Sequence, residues 1–144
     1  MAMGKTFAAA AIVLTFSACT AHQAPTAESS FCAGVTLEGW NSSSVVDALT
    51  RYAESEGLSR RSVEPKMALY ANPGKDFLIS MVVLHEGFAE LAFYPRAPGI
   101  AERDSRQFRE FVESTLAKSH RVVPCEQIPG YRKGSLSGFD KIAI

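Results

Sequence analysis

The run Phe77-Leu-Ile-Ser-Met-Val-Val-Leu84 constrains the fold of this chain more than any other stretch. Successive residues of a strand point to opposite faces, so Phe77, Ile79, Met81 and Val83 form one apolar row. Leu78, Val82 and Leu84 form most of a second row, interrupted by Ser80. An antiparallel strand with one wet face would alternate apolar and polar residues more cleanly. Both faces therefore call for cover. Helices can supply it on one side. On the other, a Gly-rich tail is the first choice, with a partner or a second copy of the chain as the alternative.

The neighbouring segments supply elements of the right kind. Asn41 to Ser44 offer helix caps before Val45, Val46, Leu49, Tyr52 and Ala53, whose spacing makes one apolar stripe. Gly57 is a suitable stop. Pro65 to Ala71 is strand-like, Asn72-Pro73-Gly74-Lys75 is a turn signal, and His85-Glu86-Gly87 turns the chain into a third strand over Phe88 to Tyr94. Ala101 to Ser119 predicts a second helix, with Phe108, Phe111, Val112, Thr115 and Leu116 on one side. Arg121 to Cys125 is a short extended segment. The tail from Pro129 is expected to be irregular, with a final strand over Phe139 to Ile144. The fold class is α+β: two helices on a three- or four-stranded, largely antiparallel sheet, in the order α-β-β-β-α-β.

The first residues carry an address. Lys5 is the only charge before Glu28, and the ten residues Phe7 to Phe16 are almost wholly apolar. Such a run is about half the length needed to span a bilayer as a helix. A basic start, a short apolar core and small residues before a processing point form a secretory signal. The ending Ser17-Ala18-Cys19 resembles the lipobox of bacterial lipoprotein precursors, with Phe16 where Leu is usual. The resemblance covers the leader alone. It implies cleavage of residues 1–18 and fatty acyl chains, palmitate among them, on Cys19. Two or more chains hold a protein stably at a bilayer, where one anchors it weakly. Thr20 is not the Asp that often retains such proteins at the inner membrane, so the resemblance implies the outer membrane, facing the periplasm.

That reading divides the chain into the signal, a flexible tether over residues 19–30, and one domain over residues 31–144. Thr20 to Ser30 has no apolar periodicity, as suits a tether. With Cys19 committed to lipid, Cys32 and Cys125 remain, and an oxidising compartment makes their pairing a disulfide the default. The whole chain has 15 basic and 15 acidic residues, and loss of Lys5 leaves 14 against 15. Such a balance gives no reason to expect nucleic acid as a partner.

No constellation in the sequence announces a reaction. His22 falls in the tether, while His85 and His120 stand beside Glu86 and Arg121 without metal-ligand spacing. Adjacent residues on a strand face opposite ways, so His85-Glu86 is not a ready pair. Gly134-Ser135-Leu136-Ser137-Gly138 places Leu136 where a nucleophile elbow needs serine, which favours a flexible loop. Glu110 and Glu113 share a helix side with Arg106 and Arg109, so solvation and ion pairing explain them. No catalytic residue, metal ligand or cofactor is assigned.

The expectation is an envelope lipoprotein that binds, inhibits or helps assemble another envelope protein, held to membrane lipid through Cys19. Its candidate surface combines Tyr70, Val82 and Tyr94 with Tyr131 and Phe139 of the tail; a homodimer would use the same side chains. A small-ligand or lipid carrier, or sensor, would need an apolar pocket between sheet and tail. A peptidoglycan- or glycan-acting enzyme would need converging Glu and His side chains.

Overall fold

The computed structural model describes residues 26–62, 64–133 and 135–137. Its main sheet is open, antiparallel and six-stranded, with two helices, so the α+β class holds. In chain order the elements are β1 (Thr26–Glu28), β2 (Phe31–Thr36), α1 (Ser43–Ser55), β3 (Ser59–Arg60), β4 (Met67–Ala71), β5 (Phe77–His85) and β6 (Phe88–Pro95). Then follow α2 (Glu102–Glu110), β7 (Val122–Pro124) and β8 (Ser135–Ser137). The main sheet runs β3-β4-β5-β6-β2-β7, and β1 pairs with β8 apart from it.

Strand number and order correct the sequence expectation of three or four strands. The turns after Ala71 and His85 join β4, β5 and β6 into the expected meander, and Gly87 takes the left-handed conformation (φ 88°) that its tight turn requires. What the sequence hid is β2. Its Cys32-Ala33-Gly34 core has little β-propensity, yet it lies between β6 and β7. Gly34 is required by packing: a Cβ there would lie 2.8 Å from Ile128 Cγ1 and 3.0 Å from Val123 Cγ2. Thr26–Glu28, at the end of the segment expected to be a tether, pairs in register with Ser135–Ser137. The segment around Leu136 is therefore a strand and not a flexible loop. The expected strand over Phe139 to Ile144 lies outside the described residues, as do the leader and Cys19.

Register assigns each side chain to a face. Phe31 stands opposite Phe93, Phe93 opposite Ile79, and Ile79 opposite Tyr70. With Ala33, Val35, Met81, Val83, Ala89 and Leu91, these residues form the face on which the helices pack. Helix α1 brings Val45, Leu49 and Ala53 to it. The second helical segment brings Phe108, Val112 and Leu116, four residues apart and all buried. It does not stay α-helical to Ser119 as expected. Its hydrogen bonds widen to a π-turn over Phe111–Thr115 and tighten to a 3-10 turn over Leu116–Lys118. Phe108 touches Phe31 edge-on at 5.8 Å between centroids, and Phe111 stacks on Tyr52 at 4.4 Å.

No helix among the described residues is long and apolar enough to cross a membrane.

Candidate functional site

The opposite face of the sheet carries the more unusual chemistry. Its rows hold Cys32 and Gly34 from β2, Glu90, Ala92 and Tyr94 from β6, Leu78, Ser80 and Val82 from β5, and Leu69 and Ala71 from β4. Ala71, Leu78, Ala92 and Tyr94 form a small buried cluster there. Burial fades along β5: Leu78 is fully buried, Val82 is partly exposed, and Leu84, left over at a bulge between Val83 and His85, is 41% exposed. Trp40, 50% exposed, is joined to this end of the sheet through Lys66. The Lys66 ammonium lies 4.1 Å from the indole centroid, and its carbonyl accepts the Val83 amide.

The Cys32–Cys125 disulfide closes the β2 side of this face, with a Cα–Cα distance of 5.9 Å. After Cys125 a single 3-10 turn delivers Ile128 into the space that Gly34 leaves. Glu90 stands opposite Gly34 and Val82. Burial pushes its carboxyl above the ordinary carboxylate value, and among the described residues it has no ion-pair partner. Burial also raises the hydroxyls of Tyr94 and Tyr131, and the Glu90 charge raises both further; a hydrogen bond to Ser80 opposes the shift at Tyr94. A partly desolvated carboxylate is a strong acceptor for a donor or cation brought by a partner. A carboxylate oxygen of Glu90 and the two sulfurs lie within 4.8 Å of one another, but sulfurs bonded to each other are not the thiolates that bind metal.

Of the surface expected from sequence, Val82 stands opposite Glu90, Tyr94 lies two positions further along the same face, and the Glu90 charge reaches Tyr131. Tyr70 does not join them. It points to the helix side, 1% exposed, with its hydroxyl 2.9 Å from Thr50 Oγ1 on α1. The reason is register, since Tyr70 pairs with Ile79 and so shares its face. Phe139 lies outside the described residues. Glu90 was missed altogether; the available signal was a lone charge within the otherwise apolar strand Phe88–Pro95.

The remaining candidates are placed as follows. His85 Nδ1 is 2.9 Å from the Glu86 carbonyl oxygen, a local turn contact. Glu110 and Glu113 are exposed along the second helical segment. A cleft of about 700 Å³ lies where β6 ends and α2 begins, and Arg96, Arg106, Ile100 and Ser105 help to line it. Another of about 500 Å³ lies between β2 and the tail, lined by Cys32, Glu126, Tyr131 and Lys133 among others. A polar cleft near the start of α1 unites Ser44 and His120, 76 residues apart, at 3.0 Å between Oγ and Nε2. Compared with known proteins, the chain matches no family model, no curated protein and no solved structure.

Proposed function

We propose that this chain is an envelope lipoprotein, anchored through acylated Cys19, whose domain binds another envelope protein with the sheet face opposite its two helices. The observation that carries this reading is Glu90. A carboxylate held half-buried, with its charge uncompensated among the described residues, costs free energy in the free protein. A partner that brings a Lys or Arg side chain, or an amide donor, would remove that cost. Val82 and Leu84 beside it would accept an apolar flank of the same partner segment, and Tyr131 adds a contact able to hydrogen-bond. The partner is thus a protein segment that presents a cation next to an apolar side chain. A lipid anchor would raise its local concentration at the membrane surface.

Photo-crosslinking in intact cells tests this reading. A photoreactive residue at Val82 or Leu84 should give one discrete adduct with an envelope protein, and Glu90→Lys should abolish it. A reporter at Glu54, on the outward side of α1, should give none. Equal yields from both positions, or an adduct with the mass of two copies of this chain, would reject a hetero-partner on this face. The anchor is tested separately by intact mass: mature Cys19 without acyl chains would remove it.

A further inference from the structure

The polar cleft at the start of α1 carries a second chemistry. Its wall includes Thr36, Glu38, Asn41, Ser44, Asp47 and His120, and its volume is about 550 Å³. His120 Nδ1 lies 2.8 Å from the backbone carbonyl oxygen of Thr36. A carbonyl can only accept, so in the neutral ring the proton sits on Nδ1. Nε2 then carries the free lone pair, and it faces Ser44 Oγ at 3.0 Å. The hydroxyl donates to the ring. This is the arrangement of a nucleophile, a general base and a group that orients the base, with a main-chain carbonyl in the place more often taken by a carboxylate.

Accessibility and donors fit the same role. Ser44 is exposed, while His120 is half-buried and held by a strand end: the Thr36 amide bonds the Arg121 carbonyl, and the Thr36 hydroxyl accepts the Arg121 amide. Asn41 Oδ1 accepts the Ser43 amide at 3.0 Å. The amides of Ser44 and Val45, in the first turn of a thirteen-residue helix, have no intrahelical acceptor by position, and Ser44 lines the cleft. Glu38 and Asp47 make the cleft acidic, which disfavours anionic substrates. Leu37 is the one apolar side chain lining it.

We infer that Ser44 and His120 form an acyl-transfer site for esters of a small acyl group with an uncharged polar alcohol, such as an acetylated carbohydrate. Ser44 Oγ attacks the ester carbon while its proton passes to Nε2. The tetrahedral adduct then expels the alcohol, which leaves with that proton. Water attacks the acyl-serine, gives its proton to Nε2, and the acid departs as Ser44 recovers its hydrogen. No oxidant or metal enters the balance.

The full-length lipoprotein in detergent micelles is treated with a fluorophosphonate probe, followed by intact mass and peptide mapping. One adduct on Ser44 is expected, at a rate that falls about 100-fold or more in His120→Ala. His120→Gln guards against misfolding, since its amide can still donate to the Thr36 carbonyl while offering no base. It should melt near the wild-type temperature and label as slowly as His120→Ala. Hydrolysis of p-nitrophenyl acetate should exceed that of the succinate half-ester and vanish in Ser44→Ala. An unlabelled Ser44, adducts spread over several serines, or equal rates in folded His120→Gln would show that these bonds only fasten α1 to the sheet.

Discussion

On the helix side of the sheet, Phe31, Ile79, Met81, Leu91 and Phe93 meet Val45, Leu49, Phe108 and Val112, and that interior is almost entirely apolar. On the other side the buried apolar cluster has four members among the described residues, Ala71, Leu78, Ala92 and Tyr94, and Glu90, Ser80 and a disulfide share the space. The first side gains its stability from area removed from water, about 25 cal/mol per Å². It tolerates nothing charged. The second gains from a covalent link and from a few close fits, such as Ile128 over Gly34, and so can hold a carboxylate half-buried. One layer is built for stability, and the other keeps chemistry available at some cost to it.

The largest test of that contrast is the disulfide. Its cysteines are 93 residues apart, and replacing both by serine should cost about 4–5 kcal/mol on the chain-entropy account, read from denaturant unfolding under oxidising conditions. A loss below ~1 kcal/mol would mean that packing alone holds the second face. Phe108→Ala, on the helix side, should cost about 3–5 kcal/mol, because Phe108 is fully buried among Phe31, Tyr52, Phe93 and Phe111.

Tyr70→Phe sharpens the boundary between the faces. Removing the hydroxyl bonded to Thr50 should cost about 1 kcal/mol and leave the crosslink from Val82 intact. Loss of that crosslink in a stably folded Tyr70→Phe protein would return Tyr70 to the binding surface.

Glu90→Gln is the subtlest change and the one with an opposite sign. The folded chain holds the Glu90 proton more tightly than the unfolded chain does, because burial disfavours the charge. Its contribution to stability is therefore greatest below the ordinary carboxylate value. It declines as pH rises through that value to the raised one, and remains lower above it. The Gln variant should be more stable than wild type at pH 7 and gain little at pH 3, as read from paired urea titrations. A wild-type advantage at pH 7 would mean that Glu90 has a stabilising partner.

Several elements were legible because their signals are local. The stripe Val45, Leu49, Ala53 and the turns at Asn72 and Gly87 announced α1 and the β4–β5–β6 meander, and Cys32 and Cys125 form the expected disulfide. Tyr70 was misplaced for a physical reason. Alternation groups the residues of one strand, but a one-residue difference in register against β5 decides which face the group joins. Strand β2 was invisible because Gly34 is set by its fit to Ile128 and Val123, and neither it nor Ala33 has the propensity that marks a strand. Helix period could not foresee the π-turn at Phe111. Ser44 and His120 looked inert in the sequence because 76 residues separate them, and only the pairing of β2 with β7 brings them together.

Read alone, the amino-acid order determined the class of fold and the need for cover on both sides of β5, since period and turn chemistry act over a few residues. The three-dimensional arrangement decided which side chains share a face, where the half-buried Glu90 carboxylate sits, and which serine meets which histidine. Those outcomes depend on pairings between strands distant in sequence, where the free energy lies in the match between partners and not in either partner by itself.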